Sequence, residues 1–306
     1  MDETRQMLEL LNGSFPDIAG MSPLEARTAV DARVRLPDGL DDVVTTSDAI
    51  VPTGTHELRV RVYRPRATRH GIPATIYAHG GGFVHGSIAS HDGFCRRWTQ
   101  GTDSVVVSVD YRLAPEHSAP APVEDVVAAA DWAVAAGLAD AGLVLAGDSA
   151  GGNLAAVASI VLRDRGDSRL RGQVLLYPCL DPSLSSESYR SRGEGCFITS
   201  RAMRFYWQTY LGTSALDEVR DWRINPLLAS ELGGLPPAIV VTAGLDPLCD
   251  EGREYARRLA ADGTPVVERH YPGQFHGFLT IVGYGPAAAG TALLWSDFHR
   301  LSHPEA

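Results

Sequence analysis

The sequence Leu143-Val144-Leu145-Ala146-Gly147-Asp148-Ser149-Ala150-Gly151-Gly152-Asn153-Leu154 places a G-x-S-x-G pentapeptide between an apolar run and a stretch of helix-forming residues. A strand that turns sharply into a helix needs small residues around the turn, because the central serine takes strained backbone angles and its neighbours approach closely. Glycine-flanked serines also occur in ordinary loops, so the pentapeptide alone is weak evidence. With a strand before it and a helix after it, Ser149 is predicted to lie exposed at the turn as a candidate nucleophile.

A second glycine-rich turn follows another predicted strand. His79-Gly80-Gly81-Gly82 comes directly after the β-rich run Ala74-Thr75-Ile76-Tyr77-Ala78. Three consecutive glycines let backbone N–H groups point inward at an oxyanion. A flexible turn is the alternative, but a turn after a strand usually needs only one or two glycines. The pattern therefore favours an oxyanion-binding loop.

Two later strands are expected to deliver a carboxylate and an imidazole. The run from Ala238 to Ala243 is predicted to be a strand that ends just before Asp246, and the run from Pro265 to Tyr271 leads to His276. Serine needs an imidazole to take its proton, and the imidazole needs a carboxylate to fix its tautomer and stabilise its cation. The order Ser, Asp, His is that of α/β-hydrolases and differs from the orders of chymotrypsin-like and subtilisin-like enzymes.

The residues leave alternatives open for both partners of the serine. Asp246 precedes Pro247 and a helical stretch, where aspartate is favoured as a helix cap. Asp250 and Glu251 are rival carboxylates one turn further along. His276 competes with nine other histidines, and an ordinary loop histidine is its alternative reading.

Several motifs occur in a characteristic order along the chain. They are His79-Gly80-Gly81-Gly82-Phe83, Asp110-Tyr111-Arg112-Leu113-Ala114-Pro115-Glu116-His117, Gly147-Asp148-Ser149-Ala150-Gly151-Gly152-Asn153-Leu154-Ala155, Asp246-Pro247-Leu248 and His276-Gly277-Phe278. From about residue 75 to about residue 280, the chain thereby resembles the hormone-sensitive lipase family, or family IV of bacterial esterases. That family usually reads D-P-L-R-D-E-G where this chain has Cys249 in the arginine position.

The resemblance implies an α/β-hydrolase fold, with a mostly parallel central sheet flanked by helices and a helical cap. It implies a serine carboxylesterase in which Ser149 is the nucleophile, His276 the base and Asp246 its orienting acid. It also implies an oxyanion hole formed by the backbone N–H groups of Gly81, Gly82 and Ala150. No cofactor and no metal are expected.

The alternation of short apolar runs with amphipathic stretches independently predicts a mostly parallel sheet covered by helices. Reactive residues past the carboxyl ends of strands agree with where open α/β sheets bind ligands. The predicted strands are Leu58–Tyr63, Thr75–His79, Ser104–Asp110, Leu143–Gly147, Gln173–Tyr177, Ala238–Ala243 and Val266–Tyr271.

Two segments interrupt this alternation and are assigned to a cap. Residues 1–45 show no strand pattern and are predicted to be the N-terminal part of the cap, and residues 180–225 its insertion. The catalytic domain is then 46–179 together with 226–306. The insertion carries an aromatic run around Trp207, for which ordinary core packing of one helix is the alternative. Phe83, His85, Trp207 and Phe275 are candidate residues of the substrate pocket.

Composition excludes some classes of partner. The 306 residues include 37 acidic and 27 basic side chains, a net charge of −10 that repels nucleic acid and anionic membranes. Four cysteines show no metal-binding spacing, and no window approaches the roughly eighteen apolar residues of a membrane span. We therefore expect a cytoplasmic protein without stable membrane insertion or nucleic-acid binding, with a homodimer left open.

The sequence predicts hydrolysis of short- to medium-chain acyl esters through an acyl-enzyme. An amidase or deacetylase would use the same groups, so motifs do not separate it from an esterase. A non-catalytic ligand receptor on the same fold is the remaining alternative. The presence of His276, which receptors of the resembling family lack, argues against it.

Overall fold

The computed structural model describes residues 2–34, 44–66 and 71–302. In these ranges the strands form a single sheet. They are β1 (Val44–Pro52), β2 (Glu57–Pro65), β3 (Ala74–Ala78), β4 (Val106–Val109), β5 (Leu143–Asp148), β6 (Leu170–Leu176), β7 (Ala238–Leu245) and β8 (Val266–Phe275).

The order across the sheet is β1-β2-β4-β3-β5-β6-β7-β8. Strand β2 runs antiparallel to its neighbours β1 and β4, and the pairs from β4 to β8 are all parallel. Parallel strands are covered on both faces, so the central ones are apolar throughout, and every residue of β3 is buried. The predicted mostly parallel sheet flanked by helices is confirmed.

Helices cover both faces of the sheet. They are α1 (Glu3–Ser14), α2 (Pro23–Asp31), α3 (Ile88–Thr102), α4 (Ala121–Ala135), α5 (Ala150–Asp164), α6 (Glu187–Arg192), α7 (Ser200–Leu211), α8 (Cys249–Ala261) and α9 (Gly285–Ser302). Side chains of β5 alternate between the faces: Leu145 packs in the cluster with α4, α5 and α8, whereas Val144 packs in the cluster with α3 and α9. The core is therefore two apolar layers around one sheet.

The structure corrects two strand predictions. Strand β1 was not predicted, because it is an edge strand whose exposed residues, such as Thr45 and Thr46, give no apolar signal. Strand β8 continues through Pro272 to Phe275, beyond the predicted end at Tyr271. An edge strand tolerates proline, and the pairing with β7 is irregular between Ala243 and Leu245. This extension brings His276 directly to the end of the sheet.

The two predicted cap segments contact each other. The Phe15 and Phe197 rings meet edge to face at 5.1 Å, and Arg201 pairs with Asp17 at 2.7 Å. Residues 35–43 of the predicted N-terminal cap part lie outside the described residues, as do residues 1, 67–70 and 303–306. Because β1 begins at Val44, the strand layer starts two residues before the predicted boundary. The division into cap and catalytic domain stays a prediction.

Candidate active site

Ser149 lies at the sharp turn between β5 and α5. Its backbone angles are φ 55° and ψ −119°, which a residue other than glycine rarely adopts. The turn is fixed because Ser149 N–H donates to the Leu176 carbonyl at 2.9 Å. A Cβ on Gly147 would meet the backbone of Gly151, and one on Gly151 would meet that of Ala78. The glycines are thus required by close backbone approach.

His276 and Asp246 reach the serine from neighbouring strand ends. The Nε2 atom of His276 lies 2.9 Å from Ser149 Oγ, and its Nδ1 lies 2.8 Å from Asp246 Oδ2. Asp246 is fully buried, and its Oδ1 accepts a hydrogen bond from the Leu248 N–H at 2.9 Å. The carboxylate therefore orients the imidazole so that its Nε2 can take the serine proton.

The two rival carboxylates point elsewhere. Asp250 Oδ2 accepts the Ser188 N–H from α6 at 2.9 Å, and Glu251 Oε1 accepts the Leu180 N–H at 2.8 Å. Burial raises the pKa of Glu251 well above its ordinary value. Both residues connect α8 to the segment that follows β6, and neither contacts His276 through a hydrogen bond recorded among the described residues.

The glycine loop after β3 leaves amide groups free to bind an anion. Gly81 and Gly82 have φ of 124° and 60°, and the Gly81 carbonyl accepts the N–H groups of Val84 and His85. Within the described ranges the N–H groups of Gly81, Gly82 and Ala150 donate to no protein acceptor. Ala150 is also the first residue of α5, whose helix dipole favours negative charge there. These three amides are suited to an oxyanion.

Asp148 holds the glycine loop in place through hydrogen bonds. Its Oδ1 accepts the Gly80 N–H at 2.9 Å and the Tyr77 hydroxyl at 2.7 Å, and His91 Nε2 lies 3.3 Å away. Burial disfavours the charged carboxylate, yet the nearby His91 and the hydrogen bond from Tyr77 hold the pKa of Asp148 below its ordinary value. An ionised Asp148 thereby holds the backbone of the loop in place.

The loop histidines are neutral. Burial, aided by the nearby His91, lowers the pKa of His79 to about 3, and the ring stacks on Tyr111 at 4.2 Å. Burial also lowers the pKa of His85 to about 4, and its Nε2 lies 2.7 Å from the Tyr206 hydroxyl. These rings support the loop as uncharged hydrogen-bonding groups.

The candidate pocket residues are buried. Phe83, Trp207 and Phe275 have no exposed area, and His85 is 8% exposed. The Phe83 ring stacks on Tyr210 at 3.9 Å and contacts Trp207 at 5.2 Å. In this conformation Phe83, Trp207 and Phe275 therefore support the wall and offer no surface to a ligand. The expectation that they line an open pocket is revised accordingly, because aromatic content does not reveal which way a ring faces.

Sequence reasoning missed Tyr77 and His91, which hold the glycine loop through Asp148. Tyr111, in the motif at residues 110–117, also supports the loop and donates its hydroxyl proton to the His79 carbonyl at 2.7 Å. Nothing in the sequence shows which backbone group Tyr111 contacts. Tyr77 is a polar-tipped residue inside a fully buried strand, which is a usable signal of a buried hydrogen bond.

The described residues offer neither a metal site nor a membrane-spanning helix. In the ranges 2–34, 44–66 and 71–302, no cluster of three or more His, Cys, Asp or Glu residues could hold a metal ion. None of the helices in those ranges has the length and hydropathy needed to cross a bilayer. The expectation that the protein needs no cofactor stays a prediction.

Comparison with known proteins agrees with this geometry. A family model described as the alpha/beta hydrolase fold matches residues 75–280. The chain belongs to this family. It is 40% identical over 260 residues to the carboxylic ester hydrolase LipN of Mycobacterium tuberculosis, covering 81% of this chain and 68% of LipN. It is 34% identical over 263 residues to an ethyl acetate hydrolase of Pseudomonas putida, covering 83% and 80% of the two chains.

A solved structure shows the same architecture along the whole chain. The ester hydrolase EH1AB1, from the metagenome of Lake Arreo, superposes with a TM-score of 0.89 at 37% identity and covers 98% of each chain. That structure contains a bipyridine phosphonate derivative. The family predicted from the motifs is thereby confirmed.

Proposed function

We propose that the protein is a serine carboxylesterase that hydrolyses small esters through an acyl-enzyme intermediate. The observation that carries the proposal is the relay from Ser149 through His276 to Asp246, with hydrogen bonds of 2.9 and 2.8 Å, next to amides suited to an oxyanion. The predicted enzyme class, a carboxylic ester hydrolase, is confirmed by relatives of that name along most of the chain.

In the first half-reaction Ser149 Oγ attacks the ester carbonyl carbon while His276 Nε2 takes the hydroxyl proton. The carbonyl oxygen becomes an oxyanion, and the N–H groups of Gly81, Gly82 and Ala150 donate to it. When the carbon–oxygen bond to the alcohol breaks, His276 returns the proton to the leaving oxygen. The products of this step are the free alcohol and an acyl group bonded to Ser149.

In the second half-reaction water replaces the alcohol. His276 accepts a proton from the water, whose oxygen attacks the acyl carbon and forms a second oxyanion. Collapse of this intermediate releases the carboxylic acid, and the serine oxygen recovers its proton from His276. Asp246 stabilises the imidazolium in both halves because it lies 2.8 Å from Nδ1.

A labelling experiment tests the nucleophile and the reaction together. A fluorophosphonate should modify the protein once, and peptide mapping should find the label on Ser149.

Nitrophenyl butyrate should be hydrolysed far faster than the matched butyryl nitroanilide, because the anilide is the poorer leaving group. Faster turnover of the anilide would instead identify an amidase, the alternative for which no present observation speaks.

The site argues against a receptor function, since His276 is present and within hydrogen-bond distance of Ser149. Binding of a ligand without turnover by the intact protein would revive that alternative. The cytoplasmic location, the absence of nucleic-acid binding and a homodimer belong to this proposal as predictions. Cell fractionation and light scattering of the purified protein test the first and the last of them.

The acyl specificity is proposed to be short, with a maximum at about four to six carbons. Bulky rings of α7 lie over the glycine loop, since a Cβ on Gly82 would meet the ring of Tyr206. The relative named ethyl acetate hydrolase supports a short acyl group. Each methylene that fits adds about 0.8 kcal/mol of burial, so kcat/KM should rise with length until the pocket ends. Nitrophenyl esters from acetate to palmitate test this, and a maximum at a long chain would indicate a lipase.

A further inference from the structure

Phe197 adopts a backbone conformation that its side chain disfavours. Its φ is 76°, in the left-handed region that favours glycine. The conformation is held from α1, where Asn12 Oδ1 accepts the Phe197 N–H at 3.0 Å and Asn12 Nδ2 donates to the Gly195 carbonyl at 2.9 Å. Strain of this kind persists only where the surroundings enforce it, and it concentrates at functional sites.

The Phe197 ring lies between α1 and the histidine loop. On one side it meets Phe15 edge to face at 5.1 Å, and on the other it meets Phe275 at 6.4 Å with an interplanar angle of 82°. Its Cε1 lies 4.0 Å from where a Cβ on Gly277 would be. Phe275 and Gly277 are the residues on either side of His276. The ring therefore forms a partition next to the base.

A cleft of about 440 Å³ opens on the far side of this partition. Its lining combines apolar side chains with polar ones, among them Asn12 and the ion pair between Arg201 and Asp17. The volume is within the range of small-molecule sites, which are mostly apolar with a few polar groups. The apolar lining is formed by Leu11, Phe15, Ile18, Phe197 and Ile198.

The chemistry of the reaction identifies which part of an ester faces this partition. His276 must protonate the leaving oxygen, so the alcohol part of the ester lies on the histidine side of Ser149. The carbonyl oxygen faces the amides of Gly81 and Gly82. An alcohol group that extends from the reacting carbon along residues 275–277 approaches the Phe197 ring, which also lines the cleft.

We propose that the cleft behind Phe197 is a subsite for the alcohol part of hydrophobic, aryl-containing esters, and that the Phe197 ring limits how large an alcohol reaches it. Phe197 is then a specificity-determining residue, and Asn12 a positioning residue that acts through it. The inference rests on the proposed esterase function.

The decisive variant is Phe197→Gly, because glycine suits the left-handed backbone at this position and the ring alone is removed. The substrates are ethyl, benzyl and naphthylmethyl butyrate, which share one acyl group and are followed by release of butyric acid. The ratio of kcat/KM for naphthylmethyl over ethyl butyrate should rise at least about tenfold relative to the wild type. Phe197→Asn, whose side chain also tolerates this conformation, should shift the ratio in the same direction.

Asn12 is tested by two substitutions. Asn12→Leu loses both hydrogen bonds and should lower KM for the naphthylmethyl ester more than it lowers KM for ethyl butyrate. Asn12→Asp keeps an acceptor for the Phe197 N–H and should stay closer to the wild type. Leu10→Ala is the matched control, since Leu10 is on the same helix but 60% exposed. It should change neither quantity.

Two results would overturn the inference. One is a naphthylmethyl-to-ethyl ratio that changes by less than about twofold in both Phe197 variants. The other is a shift in Leu10→Ala as large as that in Asn12→Leu. Ethyl butyrate hydrolysis by the wild type and its loss in Ser149→Ala test the esterase function separately, so the two proposals fail in distinguishable ways.

Discussion

Ser149 is held in a buried conformation that directs its hydroxyl toward His276, while its backbone N–H donates to the Leu176 carbonyl of β6. The glycines at 147 and 151 meet the steric demands of the turn, so the hydroxyl itself carries none of them. We therefore predict that Ser149→Ala folds normally and loses on the order of a millionfold in kcat on nitrophenyl butyrate, as when a subtilisin triad is broken. Turnover and circular dichroism should be measured on the same sample. A folded, active alanine variant would show that another residue is the nucleophile.

Asp246 and Asp250 offer a matched pair at the same scale. Asp246→Asn should slow kcat by about ten-thousandfold, because the amide favours the wrong imidazole tautomer. Asp250→Asn should leave kcat nearly unchanged, because Asp250 contacts the Ser188 N–H and lies off the relay. Steady-state kinetics on one ester compares them. If Asp250→Asn is the more harmful, the carboxylate has been assigned wrongly.

Individual residues were predictable where a local pattern requires them. Ser149 and Asp246 each follow an apolar strand, His276 follows the mixed edge strand β8, and their order along the chain matches one fold. The residues that support the site were harder to predict from sequence. Asn12 contacts Phe197 across 185 residues of sequence, and no local pattern encodes that pairing. The sequence shows that residues 180–225 are rich in aromatic side chains. It does not show that Trp207 is fully buried, because burial depends on residues distant in sequence.

At the scale of elements, the strands that lead to the site residues were predicted. Strand β1, which carries none of these residues, was missed. Central parallel strands are apolar on both faces and therefore stand out. The edge strand β1 is mostly exposed and polar, so its hydrogen-bonded partner β2 determines it more than its own sequence does. Strand β8 ends later than predicted because pairing with β7 resumes beyond Pro272.

Helix α8 carries a buried acid whose ionisation opposes folding. Burial raises the pKa of Glu251, so the folded chain binds a proton that the unfolded chain releases above about pH 4.5. The contribution of protonated Glu251 to the free energy of unfolding is complete at low pH and is lost as pH rises. Glu251→Gln cannot ionise and should raise the free energy of unfolding at about pH 8, with little effect near pH 4.

Urea unfolding at the two pH values measures this difference. Glu254→Gln, on the same helix, is the control, because hydrogen bonds from Arg257 lower the pKa of Glu254. Its substitution should not stabilise the protein at high pH. Equal effects of Glu251→Gln at both pH values would mean that the buried carboxyl group does not titrate as described.

At the scale of the whole molecule, buried neutral histidines set the response to acid. Burial lowers the pKa of His85 to about 4, whereas the unfolded chain takes up the same proton near pH 6.5. Stability from this group is therefore lost as pH falls below about 6.5. The loss reaches about 2 kcal/mol near pH 5 for His85 alone, and His79 acts in the same direction.

His85→Gln should remove that contribution, so its free energy of unfolding should fall less between pH 7 and pH 5 than that of the wild type. Urea titrations at both pH values give the comparison. His117→Gln is the control, because His117 is exposed. If His117→Gln reduces the fall in the free energy of unfolding between pH 7 and pH 5 as much as His85→Gln does, His85 is not the source of the acid sensitivity.

The three reacting side chains come from β5, β7 and β8, and His276 follows Ser149 by 127 residues. A ribosome builds the chain from its amino terminus, and so presents the serine long before the base. During that interval the hydroxyl has neither an imidazole to take its proton nor a completed sheet to position it. The nascent protein is therefore unable to attack cellular esters, and its activity begins only when the last parallel strand docks.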